Sequence, residues 1–301
     1  MQLIKPSFEI IEQEPGFEGI LKQIEKAGRT CYKSEDRISE GSAKKFVDML
    51  TTNCHGAMLE HGTVYLSLDM ASREQYFKYC YNKFSKAKSI GSAEYSTWKG
   101  FVTTNYRVLV ENGWLDDLKY QCEPTEYHDK RITVKFTTDQ GILREFTRHR
   151  VFSFAVESTR YCNYSKSKFE EKITFIIPNW LNLQEGSYEE LYLVNKEDKE
   201  QYKAIGCGDL YYNISSSPEG RFLESCIWSE RYYMDLLNTY GWKPQQARNV
   251  LPLATKCELV MTGFTSDWKH FFELRCDSAA HPQARELAVP LQQLFIDNKY
   301  I

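Results

Sequence analysis

The sequence predicts an α+β fold, a mixed or antiparallel sheet carrying long helices, and not a dinucleotide-binding (Rossmann) fold. Three observations point there. Several short segments alternate apolar and polar residues with the two-residue period of a half-buried strand. Longer segments, concentrated in the last third, place apolar residues at helical spacing. The two kinds follow one another without the regular strand–helix alternation of a doubly wound sheet, and no GxGxxG run follows a strand.

Taken in order, Phe17, Ile20, Leu21, Ile24 and Ala27 recur at helical spacing and predict a helix from Phe17 to Ala27. A second helix is expected from Ser42 to Leu50, with Ser42 as its N-cap. "TVYLSLDM" alternates Val64, Leu66, Leu68 and Met70 and reads as a strand. The Tyr-, Phe- and Lys-rich region from Ser72 to Lys88 is expected to be helical. "RITVKFTT" alternates Ile132, Val134 and Phe136, another strand. Asp139 and Gly141 then turn the chain into a short helix, "ILREFTRHR", and "KITFIIP" is a third strand, ending at Pro178. Residues 185–218 are polar and predict an insertion within a single domain spanning residues 1–301. Beyond it, a long amphipathic helix runs through Phe222, Leu223, Cys226 and Ile227 to near Gly241. Pro244 opens and Pro252 closes "PQQARNVLP", and helices are expected over "CELVMTG", "DWKHFFELR" and "ARELAVPLQQLF".

The formal net charge of −3 over 301 residues gives no electrostatic basis for a whole-protein nucleic-acid or membrane binder. Any anion must therefore be held by a local cluster of Arg or Lys. The nine cysteines are odd in number and form no C-x-x-C pair, which predicts free thiols in a reducing cytosol. The N-terminus lacks a basic region followed by an apolar run, and no apolar stretch is long enough to span a bilayer, so a cytoplasmic location is expected. The six histidines, at positions 55, 61, 128, 149, 270 and 281, show no metal-ligand spacing, and no metal is expected. P-loop, HExxH and G-x-S-x-G motifs are absent.

Three segments place Arg against apolar runs: "RHRVFSFAVESTRY", "PQQARNVLPLATK" and "HFFELRCDSAAHPQAREL". An Arg at the end of an apolar helical face needs an acceptor, because an unpaired buried charge is strongly destabilising. Each could have an Asp or Glu partner; three together make an anionic ligand at least as good an explanation. Ser158 is a turn or cap residue by default, yet beside Thr159 and Arg160 it can also donate to a phosphate. His149, between Arg148 and Arg150, is expected to be neutral because neighbouring cations disfavour imidazolium.

Arg148-His149-Arg150, seven residues and then Ser158 resembles the signature of the flavin-dependent thymidylate synthases, and "TRY" extends the match. "AGRTCYKS" and "CHGAMLEH", the latter with His55, Glu60 and His61, resemble that family's N-terminal segments. "ARNVLP", "DWKHFFELR" and "AHPQAREL" resemble its later ones, in the right order. The resemblance implies a thymidylate synthase-complementing type of fold, a homotetramer, and active sites built from several subunits. It implies FAD as cofactor, and conversion of dUMP to dTMP with methylenetetrahydrofolate as carbon donor and NADPH as reductant. No nucleic acid or membrane partner is implied. By the same resemblance Arg148, His149, Arg150, His55 and His270 contact the flavin, while Arg148, Ser158, Thr159, Arg160 and Arg248 hold dUMP. Arg275 corresponds to the Arg that polarises the uracil and is the catalytic residue; no enzyme thiol is required.

The chain departs from the family pattern at four places. Ala155 and Val156 stand where an Asn and an acidic or amide residue are usual, with Glu157 next to Ser158. Glu145 replaces a Gln that commonly precedes RHR, and Phe264 stands where an Asn is frequent. Two other functions fit the residues alone: a non-catalytic nucleotide- or RNA-binding protein, and another flavin-dependent uracil methylation.

Overall fold

The computed structural model describes residues 1–92, 97–188 and 217–301. The expected insertion at 185–218 lies outside the described residues except for its first four and last two positions. In chain order the elements begin with β1 (Gln2–Ile4), β2 (Ser7–Ile11), α1 (Gly16–Tyr32), α2 (Ser42–Thr52) and α3 (Gly56–Leu59). There follow β3 (Thr63–Leu68), α4 (Arg73–Cys80), β4 (Lys86–Ile90), β5 (Lys99–Asn105) and α5 (Tyr106–Asn112). The middle holds β6 (Arg131–Asp139), α6 (Gln140–Phe146), β7 (Ser153–Val156), β8 (Thr174–Ile176) and β9 (Gly186–Ser187). The last third holds α7 (Pro218–Asn238), α8 (Pro244–Ala247), β10 (Lys256–Phe264), α9 (Thr265–Arg275) and α10 (Pro282–Asp297).

"CELVMTG", expected to be a helix, is instead most of β10, an inner strand of a four-stranded sheet ordered β2-β6-β10-β7. Antiparallel partners flank it on both sides, Leu259 lying opposite Phe136 of β6 and Val156 of β7. Every residue from Cys257 to Gly263 is buried, so both faces are covered and, Glu258 apart, carry apolar or small residues; the alternation that marks a half-buried strand is missing. The region 72–88 also differs: its first half is α4, but from Lys86 it is strand, the edge of a sheet ordered β3-β5-β4. Gly41, not Ser42, precedes α2. Ser42 is its first residue, and its hydroxyl donates to Glu25 at 2.8 Å. A third small sheet, ordered β8-β1-β9, joins the N-terminal strand in parallel to β8. Helices and mainly antiparallel strands make this an α+β fold.

The four-stranded sheet is covered on one face by α6, α9 and α10. Phe136, Phe146, Phe152, Trp268, Phe271, Phe272 and Phe295 form an aromatic core there, each ring worth roughly 1.5–3 kcal/mol of burial. The opposite face meets α1, with Ala27 against Ala155 and Val260. Gly263 lets β7 approach: a Cβ built on it would lie 2.5 Å from the ring of Phe152.

Candidate active site

The Asp139 carboxylate caps α6, accepting from the Ile142 amide at 2.8 Å. The helix stops at Phe146, so the RHR triplet, expected in its last turn, falls in the turns beyond it. The amide of His149 donates to the Phe146 carbonyl at 3.1 Å, and that of Phe152 to the His149 carbonyl at 3.1 Å. These turns bury His149 and leave Arg148 and Arg150 exposed. Neither arginine has an acidic partner among the described residues.

Arg275, the last residue of α9, meets this turn with every edge of its guanidinium. Its Nε donates to His149 Nε2 at 2.9 Å, its Nη1 to Glu145 Oε2 at 2.6 Å and its Nη2 to the Glu145 carbonyl at 2.6 Å. An accepting Nε2 requires the imidazole proton on Nδ1, so the contact fixes a neutral ring in one tautomer. Burial first, and then Arg275, push the His149 pKa down to about 4. The neutral histidine expected from the sequence is present, but Arg148 and Arg150 are not what makes it so. The His270 ring lies 6.3 Å from that of His149, exposed and 3.2 Å from Glu273. A cavity of about 700 Å³ borders Glu145, walled also by Trp180, Leu181, Phe222, Leu253 and His281.

A second cluster forms at the other end of β7. Ser158 opens a turn in which its carbonyl accepts from the amides of Tyr161 at 3.1 Å and Cys162 at 2.9 Å. Its own amide donates to the Cys31 carbonyl at the end of α1, at 3.0 Å. Arg248, in the 3-10 turn after α8, donates to the Thr159 hydroxyl at 2.9 Å. The Arg160 guanidinium lies over Tyr161, 5.5 Å from the ring centre. Ser158, Thr159, Arg160 and Arg248, from segments far apart in sequence, are thus adjacent, with Arg160 and Arg248 exposed.

The structure does not bring every expected site residue together. β7 separates the Arg275 cluster from the Ser158 cluster by about 10 Å of strand, before the turns at either end are counted. His55 stands at the exposed start of α3, with Met58 of that helix packed beside Ala27, Ala155 and Val260 on the sheet's other face. The neighbouring residues of "CHGAMLEH" are held within the fold: Glu60 pairs with Arg107 at 2.6 Å, and buried His61 bonds Thr262 at 2.8 Å. Glu157, next to Ser158, turns into an ion pair with Lys256 at 2.8 Å, its carboxylate buried. Reading "CELVMTG" as a helix also hid the contact of Lys256 with Glu258 at 2.9 Å, since residues two apart share one side of a strand but not of a helix.

Two thiols flank the second cluster. Burial raises Cys31 to about 11 and Cys162 to about 12, so both stay protonated near neutrality. The eight described cysteines are free, and Cys207 lies outside the described residues. No described helix is long and apolar enough to cross a membrane.

A family model described as thymidylate synthase complementing protein matches residues 71–297, and the chain belongs to that family. "AGRTCYKS" and "CHGAMLEH" precede the matched stretch. A flavin-dependent thymidylate synthase of Synechocystis sp. is 26% identical over 168 residues, 55% of this chain and 66% of that protein. One of Pyrococcus abyssi is 26% identical over 144 residues, 48% of this chain and 45% of that protein. The chain therefore spans just under two thirds of the first relative and under half of the second. Among solved structures, a UMP/dUMP methylase PolB from Streptomyces cacaoi bound with 5-Br dUMP is 18% identical with a TM-score of 0.41, covering 99% of this chain and 93% of that one. Thymidylate Synthase X from Helicobacter pylori with FAD and dUMP is 13% identical with a TM-score of 0.39, covering 96% and 92%.

Proposed function

We propose that this protein is a flavin-dependent thymidylate synthase, one domain over residues 1–301. In this reading it methylates dUMP to dTMP with methylenetetrahydrofolate as carbon donor and NADPH as reductant. The observation that carries the reading is the pair of clusters at the two ends of β7. One holds a guanidinium against a neutral histidine; the other gathers hydroxyls and two exposed arginines. The first suits a polarised ring and the second suits a phosphate.

Arg275 is the catalytic residue of this proposal. Its guanidinium, held in place before substrate arrives, stabilises negative charge on the uracil as C5 becomes nucleophilic. Because it is already ordered by Glu145 and His149, little reorganisation is needed at the moment of reaction. Ser158, Thr159, Arg160 and Arg248 take the nucleotide phosphate, with Arg148 near the nucleotide. Cys31 and Cys162, held as neutral thiols, are poor nucleophiles, which supports a route without an enzyme thiol.

For FAD, the donor set fits an anionic, aromatic group: exposed Arg148 and Arg150, without carboxylate partners among the described residues, and the imidazoles of His149 and His270 close by. His55 belongs to the same proposed set. When bound, FAD would supply the hydride and carry the one-carbon unit between folate and nucleotide. The separation of the two clusters, and of His55 from both, supports sites completed by residues of neighbouring copies, as in a homotetramer. The net charge of −3 disfavours a general RNA-binding role.

The test is optical. The purified protein should show an oxidised-flavin spectrum that NADPH bleaches in the absence of air. A colourless preparation that also fails to take up added FAD overturns the proposal.

A further inference from the structure

Glu157 is the acidic residue next to Ser158, and a carboxylate facing a phosphate would repel it. The structure gives that carboxylate other work. Its side chain is 1% exposed, and Oε2 accepts from Lys256 Nζ at 2.8 Å and from the Glu258 amide at 3.2 Å. Oε1 accepts from the Tyr164 hydroxyl at 3.1 Å. Lys256 also meets Glu258 at 2.9 Å, and Glu258 meets Lys33 at 2.8 Å and Lys135 at 2.9 Å. With Glu35, 3.2 Å from Lys33, three lysines and three glutamates form one balanced network. Burial alone would raise Glu258, but Lys256, Lys33 and Lys135 outweigh it and hold the carboxyl at about 2.

The turn from Ser158 to Cys162 makes two hydrogen bonds to the rest of the fold, the Ser158 amide on Cys31 and the Thr159 hydroxyl under Arg248. Tyr161 also lies against Tyr32, and Cys162 is buried in the core at the turn's exit. Ser158, Thr159 and Arg160 have no such anchorage, so where they stand depends strongly on how the ends of the turn are held. Glu157 is the entry and Tyr164 lies just past the exit, and the hydroxyl of the second bonds the carboxylate of the first. The same carboxylate fastens both to the start of β10 through Lys256. Lys33 carries the network on to the C-cap of α1, two residues beyond the carbonyl that holds Ser158. This accounts for the segment "AGRTCYKS", which the proposed chemistry does not otherwise use.

From this we infer that Glu157 is a positioning residue for nucleotide binding: with Lys256 and Tyr164 it clasps the two ends of the Ser158–Cys162 turn and fixes where Ser158, Thr159 and Arg160 stand. The inference rests on the reading of that turn as the dUMP phosphate loop. A phosphate is remote from the reacting carbon and is bound alike in ground and transition states. Misplacing its loop therefore raises KM and leaves kcat.

The experiment measures steady-state kinetics of the holoenzyme with varied dUMP, for the wild type, Glu157→Gln and Tyr164→Phe, together with flavin content. Glu157→Gln should raise KM for dUMP at least tenfold, and Tyr164→Phe about threefold. Both should keep kcat within about threefold and retain flavin. Tyr164→Phe removes a single hydroxyl, so it decides the matter if the glutamine variant does not fold. Unchanged KM in the variants with an active wild type overturns the clasp alone. A fall in kcat at unchanged KM does the same. A wild type without dUMP turnover overturns the phosphate-loop reading and the clasp with it.

Discussion

Glu145 grips Arg275 twice, through its carboxylate and through its own backbone carbonyl, both at 2.6 Å. The carboxylate is 38% exposed and the guanidinium 13%, so the ionic part of the contact is screened and worth no more than about 1 kcal/mol. Orientation comes largely from the carbonyl and from His149, which are neutral. The charge of Glu145 instead lowers the positive potential that an incoming dianion meets.

Glu145→Gln should separate these two effects. The carbonyl and His149 still hold Arg275, so flavin content and kcat stay within about threefold of wild type. One opposing charge is gone, so KM for dUMP falls by roughly three- to tenfold, which is on the order of 1 kcal/mol. An unchanged or higher KM would show that the carboxylate does not oppose the nucleotide.

Arg275→Ala removes the donor at which uracil charge develops. Losing one such preorganised donor costs about 10²–10³-fold in turnover. The variant should keep its flavin, because Arg148, Arg150, His55 and His270 of the proposed flavin set are untouched and only His149 loses a hydrogen bond. Normal turnover in this variant would refute the catalytic role.

Arg248 approaches the Ser158 turn from a distant segment and hydrogen-bonds it through the Thr159 hydroxyl. A charge-assisted bond to a phosphate is worth about 1.5–3 kcal/mol, so Arg248→Ala should raise KM for dUMP some ten- to a hundredfold. Isothermal titration with dUMP measures it directly. Equal affinity in the two proteins would remove Arg248 from the site.

His149 gives a pH prediction. Its pKa is lowered to about 4 in the native state against 6.5 ordinarily, so between these values the unfolded chain takes up a proton that the native chain refuses. Stability from this group is fully present above about pH 6.5 and lost as pH falls toward 4, by roughly 3 kcal/mol. Urea midpoints should fall across that window, and less so in His149→Gln. An imidazole signal of His149 titrating near 6.5 would contradict the buried, Arg275-bonded ring.

Much of this was legible in the sequence, for physical reasons. The strands at Thr63–Leu68 and Arg131–Asp139 and the helices from Gly16 and Pro218 have one buried face, and their periodicity says so. β10 was not legible, because a strand buried on both faces has no alternation to read. The ordered Arg-bearing segments marked the residues that meet at each end of β7. Spacing could not say that α6 stops short of RHR, nor that His55 stands across the sheet. It could not say that Glu157 faces Lys256 rather than the loop. Those depend on pairing between residues about a hundred positions apart.

The most direct test of the account is tritium release from 5-tritiated dUMP by the purified, flavin-loaded protein. Release that requires both methylenetetrahydrofolate and NADPH, with dTMP formed in equal amount, is the predicted result. No release under those conditions, with flavin bound and reduced, would contradict the assignment of thymidylate synthesis.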